Sequence, residues 1–523
     1  MSRRAPRSLC LLAGLVAGLA GIAVSHALTM LLGIRATPLL GVAEAIIEIT
    51  PGALAESLIQ LVGQYDKPIL VAGVALGVLA LSALPGVLAQ RSQGLALGIF
   101  LAMGAIAGVA VWTRPGAGPY DVVPVIAGTG TWVVVLSLLT DQLRRVRPRT
   151  TSEPAPAGEA GGTPDRRHDH DPARRRFLVL AGATTLAAAV VGAAGQVAGR
   201  TRRSVETARS LLRLPVRHGV VPEAANVEVT GVEPWRTPNP DFYRIDTALV
   251  VPSVDPTEWR LRVHGMVERE LTLTYDDLLA RELTEDWVTL CCVSNEVGGD
   301  LIGNAFWSGV RVADVLAEAG VLPDANAVLQ TSDDGWTCGT PVEALTDDRN
   351  ALLAIAMNGE PLPVEHGFPV RMVVPGLYGY VSATKWLVDL EVSRFDDFTA
   401  YWTSRGWSPQ GPVKTQSRID VPRDGADVAA GPVRIGGSAW AQHTGIERVE
   451  YRLDGAAWQE ADLGRVPNVD TWVQWSATVD VPAGDHTLAV RATDRSGYTQ
   501  TSARVGVVPN GATGWHTVEF GAE

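Results

Sequence analysis

Cys291 and Cys292 stand side by side in TLCCVSNEVGGD, and the 523-residue chain has only two other cysteines, Cys10 and Cys338. Four chemistries are open to such a pair: a disulfide, a metal ligand, a nucleophile, or two apolar core side chains. Covalent geometry disfavours the disulfide. Neighbouring Cα atoms across a trans peptide lie ~3.8 Å apart, and bridged cysteines need ~4.4–6.8 Å. No His and Asn partners stand out to complete a nucleophile's constellation. WVTLCCV reads as a strand, in which successive side chains point to opposite faces. One thiol can then face a site while the other packs in a core, where cysteine is at home. The SNEVGGD that follows is a polar turn with two glycines, backbone that can approach a ligand closely. A thiolate beside such a turn can ligate a soft or high-valent metal. Ligand and core thiol both stay open on these residues alone.

Other reactive groups are sparse. There is no CxxC or CxxCH spacing for zinc or c-type haem, no GxGxxG after a strand, and no GxxxxGK[ST]. Four cysteines cannot form a disulfide framework in a chain of 55.4 kDa, so stability rests on hydrophobic cores. A net charge of −12 without a basic, aromatic-rich patch excludes a nucleic-acid partner. The length suits two or three domains.

The elements that must position these groups fall into regions of different character. Leu9–Gly33 is apolar and uncharged, and at about 1.5 Å per residue it is long enough to cross a bilayer. Further apolar runs occupy 69–89, 95–112, 122–140 and 177–198. Glu44, Glu48 and Glu56 mark the stretch between the first two as a surface-lying amphipathic helix. The expected organisation is a four-helix transmembrane region over 1–145, a disordered linker over 146–173 and a fifth transmembrane helix over 174–200. His168 and His170, in the linker, read as solvated side chains rather than a metal tract. Arg3, Arg4 and Arg7 precede the first span, and Arg144, Arg145, Arg147 and Arg149 follow the fourth. Both ends of that unit are therefore expected in the cytoplasm, and the fifth span then carries the rest of the chain across the cell membrane to the extracytoplasmic side. Arg200, Arg202 and Arg203 oppose this orientation, and the larger cluster before the span outweighs them. RRRFL at 174–178 is similar to a twin-arginine export signal.

From about residue 220 the pattern is that of a mixed α/β domain, expected over 220–415. EWRLRVHG alternates as a strand, LTYDDLLARE reads as a helix capped by Thr274, VRVADVLAEAGV as an amphipathic helix, and FPVRMVVPG as a strand. Over 420–523, short alternating strands recur at intervals near ten residues, the spacing of a β-sandwich, with Asp454-Gly455 suited to a hairpin turn.

At TLCCVSN the chain resembles the sulfite oxidase family of molybdenum enzymes, whose TLxCxGN motif places its thiol at Cys292. MNGEPLPVEHGFPVRMVVPGLYGYVSATKWL, from Met357 to Leu387, is similar to that family's pterin-binding segment, and the 420–523 region resembles its immunoglobulin-like dimerisation domain. The resemblance covers about 220–520. It implies a membrane-anchored, α+β molybdopterin oxidoreductase with a C-terminal immunoglobulin-like sandwich and a homodimer formed through that sandwich. The implied cofactor is molybdenum-molybdopterin, with Cys292 as the protein's metal ligand and catalytic thiolate and Cys291 a core thiol. His366, Arg371, Thr384 and Lys385 are implied at the pterin and its phosphate, Asp333 and Asn295 near the pterin, and Arg244, Asp246 and Thr247 in a pterin-contacting loop. Arg and Lys suit phosphate, and a carboxylate accepts from the pterin's N–H groups.

The implied reaction is oxygen-atom transfer with two-electron cycling of the metal, on a small oxyanion or S-oxide. Two departures bear on substrate: Ile245, Asp246 and Thr247 stand where sulfite oxidases carry Arg-Asn-His, and Ile355 stands where they carry Tyr. Lys414 and Arg418 are candidates to supply the missing charge. His26 is the only histidine in any span, which argues against an internal di-histidine haem and for a separate electron carrier. The competing readings are an S-oxide or nitrate reductase on the same fold and a cofactor-free surface binding module.

Overall fold

The computed structural model describes residues 6–50, 65–114, 117–145, 172–198 and 201–523. The expected linker, except Pro172 and Ala173, lies outside the described residues, as do its histidines and Glu56. The chain forms two compact units, Met1–Arg202 and Arg203–Glu523.

The first unit contains α1 (Arg7–Leu31), α2 (Pro38–Ile49), α3 (Asp66–Leu88), α4 (Gln93–Trp112), α5 (Val123–Arg145) and α6 (Pro172–Ala198). All except α2 are long and apolar enough to cross a membrane. Helix α1 packs against α3, α5 and α6. In lipid there is no hydrophobic drive between helices, so close backbone approach through small residues must supply the contact. A Cβ on Gly86 of α3 would stand 1.9 Å from the carbonyl oxygen of Cys10, and one on Gly14 would stand 2.2 Å from that of Ser82. Trp132 of α5 donates its indole N–H to the Gly18 carbonyl at 3.1 Å. Cys10 is buried with Phe177 and Leu143. Helix α2 starts at a Thr37 cap and Pro38, and its Glu44 pairs with Arg114 at 3.6 Å.

The second unit is entered through α7 (Thr201–Leu211). The stretch after the fifth span is not a free tether. Val205 is buried in a core with Leu362 and Val364, and Arg209 donates to the carbonyls of Leu362 and Pro361 at 2.7 and 3.0 Å. The catalytic domain's strands are β1 (Arg260–Gly265), β2 (Leu271–Thr274), β3 (Thr284–Cys291), β4 (Ile302–Arg311), β5 (Ala327–Ser332), β6 (Thr337–Pro341), β7 (Leu352–Met357), β8 (Glu360–Pro361), β9 (Arg371–Val373) and β10 (Leu387–Ser393). They form one sheet in the order β2-β1-β10-β5-β6 and another in the order β3-β4-β7-β8, with β9 paired to β7. Helices α8 (Tyr275–Leu279), α9 (Val312–Ala319) and α10 (Val342–Thr346) lie between strands.

The LTYDDLLARE segment forms the expected helix after its Thr274 cap, five residues long and held by a reciprocal capping box between Thr274 and Asp277, while Leu271–Thr274 before it pairs with β1 as a strand.

The sandwich comprises β11 (Gln416–Val421), β12 (Ala426–Val428), β13 (Gly431–Trp440), β14 (Ile446–Leu453), β15 (Gln459–Glu460), β16 (Asp462–Leu463), β17 (Val473–Val481), β18 (Gly484–Asp494) and β19 (His516–Ala522). Its sheets run β11-β13-β17-β16 and β12-β19-β18-β14-β15 around Ile435, Val449, Trp475, Leu488 and Phe520. Asp454 and Gly455 both take positive φ, at 50° and 71°, as a primed hairpin turn requires. The sandwich grips β3. Thr289 donates its N–H to the Asp470 carbonyl at 2.9 Å, its hydroxyl accepts from Trp472 N–H at 2.8 Å, and its carbonyl accepts from Gln442 at 3.2 Å.

Candidate active site

Strand β3 ends at Cys291, and Cys292 is the first residue of the turn. The two thiols are therefore parted by strand termination as well as by alternation. Cys291, 2% exposed, is packed in the central core with Val293 and Val381, and Asn295 donates to its sulfur at 3.8 Å. Cys292, 8% exposed, lines a cleft. Its N–H donates to the Leu301 carbonyl at 2.9 Å and its carbonyl accepts from Asn295 N–H at 3.1 Å, so the turn is bonded shut at its base. Burial pushes the Cys292 thiol up from its ordinary pKa, while the neighbouring Ser294 N–H and hydroxyl and the Val293 N–H pull it down.

The two glycines of the turn meet protein rather than a ligand. A Cβ on Gly298, at φ +82°, would fall 2.2 Å from the His516 ring of β19, and one on Gly299 would fall 2.6 Å from Oδ1 of Asn295. The small size of Gly298 lets the sandwich close onto the turn, and that of Gly299 lets the turn close on itself.

The cleft has a cavity volume of about 110 Å³ and opens to solvent at its mouth. Of the expected site residues, Asp246, Thr247, Cys292, His366, Arg371 and Lys385 line it. Arg371 is 5% exposed, with its guanidinium 5.1 Å over the Trp307 ring. Its hydrogen bonds go to carbonyls, of His366 at 3.2 Å and Met372 at 3.4 Å, and it pairs with no carboxylate among the described residues. Burial lowers its pKa to about 10. Lys385 donates to Asp246 at 2.8 Å and to the Glu365 carbonyl at 3.2 Å. Burial pulls it down to about 8 against the opposing effect of Asp246. His366 bonds the Asn239 carbonyl through Nε2 at 3.1 Å, and burial, then Arg371 and Lys385, lower its pKa to about 4. The ring is thus neutral at pH 7, which makes Nε2 the hydrogen-bond donor.

Four of the expected residues do not line the cleft. Arg244 pairs with Asp246 at 3.1 Å, from outside. Asn295 braces the turn by accepting from Leu301 N–H at 2.9 Å. Thr384 is wholly buried, its hydroxyl 3.3 Å from the Cys338 sulfur. Asp333 is passed over for its neighbour Asp334, which lines the cleft and accepts from Trp336 N–H at 3.1 Å. Lys414 and Arg418 are committed elsewhere: Lys414 to Asn510 and the Gly511 carbonyl, Arg418 to Asp420 and Glu233. Ile245, 49% exposed, lies at the cleft, and Ile355 is fully buried in the core.

The lining also includes Tyr243, which opens the implied pterin-contacting loop, and Tyr380, Trp336, Trp402 and Trp407, which were not among the expected site residues. The cluster of Tyr401, Trp402 and Trp407 in one short polar stretch was the available signal. Burial, and the nearness of Cys292, push Tyr243 well above the usual phenol value, so a neutral hydroxyl stands beside the thiol.

An α+β domain with a cation-bearing cleft walled by one cysteine, joined to a two-sheet sandwich, defines a class of cofactor-binding oxidoreductases. Comparison with known proteins agrees. Residues 248–402 match the oxidoreductase molybdopterin binding domain, and residues 416–490 match a bacterial Ig domain. The chain is 33% identical over 341 residues to the mitochondrial sulfite oxidase of Homo sapiens, covering 55% of this chain and 62% of that protein. It is 32% identical over 315 residues to the sulfite oxidase of Gallus gallus, covering 50% and 68%. It is 36% identical over 157 residues to the uncharacterised oxidoreductase YuiH of Bacillus subtilis, covering 30% and 76%. The chain belongs to the sulfite oxidase family of molybdopterin-binding oxidoreductases. It spans about three fifths of the mitochondrial relative's length.

Proposed function

We propose that this chain is a membrane-anchored molybdenum-cofactor oxidoreductase catalysing oxygen-atom transfer, with Cys292 as the protein's thiolate on molybdenum. One observation carries the reading. Arg371 is a buried guanidinium with no carboxylate partner among the described residues, in the same cleft as the buried Cys292 thiol. Buried charge is costly unless compensated. An anionic group bearing a soft-ligated metal would compensate both at once, since a coordinating thiol is deprotonated outright. The residues therefore fit a phosphate-bearing pterin: Arg371 and Lys385 for phosphate, His366 as a neutral donor, and Cys292 for the metal. Bound molybdenum would supply two-electron oxygen-atom exchange. The chain's own part is to orient the thiolate by the Val293 and Ser294 N–H groups, to hold anionic charge, and to exclude water with the aromatic wall.

The lining favours an uncharged sulfur compound over sulfite. Arg371 and Lys385 are the cations in the wall, and both are assigned to the cofactor, which leaves Ile245, Tyr243, Tyr380, Trp402 and Trp407 for the substrate. The test is a substrate screen with oxidising and reducing carriers. Turnover of thioethers or S-oxides, with molybdenum in wild type and none in Cys292→Ser, is expected. Active wild-type protein without molybdenum would sink the proposal. Turnover of sulfite alone would overturn the substrate assignment. The arginine clusters around the first, fourth and fifth spans support an extracytoplasmic catalytic domain, testable by reporter fusions at residue 523. A separate electron carrier, and a homodimer using exposed Val505, Val508 and Tyr498 of the sandwich region, complete the proposal. Sizing in detergent tests the dimer.

A further inference from the structure

A second group of ligating side chains lies on the seam between the catalytic domain and the sandwich, off the cleft. Asp347 and Asp348 follow α10, and His443 lies in the turn from β13 to β14. The ligand atoms of the three are within 4.8 Å of one another. Surface carboxylates alone carry no such meaning; what sits behind the histidine does. Asp470 is 8% exposed, and its Oδ1 has no hydrogen-bond partner among the described residues. That oxygen lies 3.4 Å from Nδ1 of His443, an atom likewise buried and without a hydrogen bond. The two orphans face each other, close enough for charge but not aligned as a hydrogen bond.

A small turn of the imidazole would make Nδ1–H the donor to Asp470 and leave the lone pair on Nε2. That nitrogen faces Oδ1 of Asp348 at 3.9 Å. A carboxylate behind a histidine whose other nitrogen is free is the arrangement that orients metal-binding imidazoles in proteins. Charge points the same way. Arg349 neutralises Asp347 in part, with contacts of 2.6–2.9 Å, and Asp348 and Asp470 remain uncompensated beside a histidine. Arg349 also donates its backbone N–H to Asp347 at 3.1 Å, so both carboxylate oxygens are engaged and Asp347 must give up part of that pairing to hold an ion.

We propose that Asp347, Asp348 and Nε2 of His443 bind one divalent first-row transition-metal ion, of which zinc is the type, with Asp470 as the positioning residue behind the histidine. Two ligands about 2.1 Å from one ion stand no more than ~4.2 Å apart. The group must therefore close by several tenths of an ångström, and the Asp348 side chain, 97% exposed, can supply that movement. The ion would tie the two domains together. A Cβ on Gly376 would stand 2.8 Å from Cβ of His443, so the histidine turn rests on the loop that carries Tyr380 to the cleft.

The experiment is zinc titration of the tag-free, detergent-solubilised full chain after chelator treatment, read by calorimetry, elemental analysis and melting temperature. Wild type is expected to bind one equivalent and to melt higher with it. Asp348→Asn, conservative and exposed, should weaken binding at least ~10-fold, as should His443→Ala. Asp470→Asn should keep the stoichiometry and raise Kd by ~10–100-fold, the usual consequence of losing such a partner. Cys292→Ser should bind zinc as wild type does. No zinc bound by wild type, equal binding by Asp348→Asn and His443→Ala, or loss of zinc in Cys292→Ser would each overturn the proposal.

Discussion

Gly298→Ala tests the claim that the turn after Cys292 is closed by the sandwich. The added Cβ would stand 2.2 Å from Cδ2 and Nε2 of His516, inside any real contact, and the backbone is at φ +82°. The left-handed conformation costs an alanine ~1–2 kcal/mol, and overpacking a filled site costs ~1–3 kcal/mol, so the sum is ~2–5 kcal/mol. Gly455→Ala is the matched control: φ is +71°, and the new Cβ would meet nothing within 4 Å. It should cost only the conformational ~1–2 kcal/mol. The difference between the two variants is thus the steric contribution. Denaturant unfolding followed by tryptophan fluorescence suits the measurement, since only Trp112 and Trp132 of the 15 tryptophans belong to the membrane helices. His516→Ala in the Gly298→Ala background should recover most of that difference in a double-mutant cycle. Equal losses for the two glycine variants, or no coupling to His516, would refute the reasoning.

Cys292→Ser should abolish molybdenum content and turnover, whereas Cys291→Ser should keep both and lose ~1–3 kcal/mol of stability, from a hydroxyl buried in an apolar core; elemental analysis and melting separate the two. His366 and His516, each lowered to about 4 by burial, are neutral in the folded chain between that value and the ordinary 6.5. The unfolded chain binds more protons there, so stability falls as pH drops from about 6.5 to 4, by up to ~3 kcal/mol per histidine. His366→Gln should flatten that slope, and an unchanged slope counts against the assignment. Asp246→Asn strips the carboxylate from buried Lys385, which should cost ~3–5 kcal/mol in cofactor-free protein and less once a phosphate is bound. Melting curves at matched loading distinguish these cases, and an equal loss in both states argues against phosphate at Lys385.

Much of this architecture was legible because it rests on local pattern. Apolar runs of bilayer length became helices within a few residues of their expected limits, and alternating segments after residue 416 became the sandwich. What resisted reading depends on contacts distant in sequence. Asp333 and Asp334 are equivalent as letters, and only the turn that returns Asp334 to Trp336 N–H decides which faces the cleft. The family resemblance implies a phosphate role for Thr384, but its hydroxyl turns toward Cys338. Arg418 looks like available charge until the fold brings Glu233 to it across nearly two hundred residues.

The glycine turn shows most clearly why sequence and structure differ here. A pair of glycines beside a reactive thiol invites the reading of backbone reaching toward a ligand. The space where their side chains would be is instead filled by His516 and Asn295, so Gly298 sets how closely the sandwich approaches the turn while Gly299 lets the turn close on itself. The sandwich also holds Thr289, three residues before Cys292, through Asp470, Gln442 and Trp472. Cys292 is therefore fixed from both sides, by a strand bonded to the sandwich on one and by a turn packed against it on the other. The proposed role of Cys292 as a metal-bound thiolate would need that rigidity, and in this chain the immunoglobulin-like domain supplies much of it. That domain is thus part of the site's scaffold, whatever partner its outer face meets.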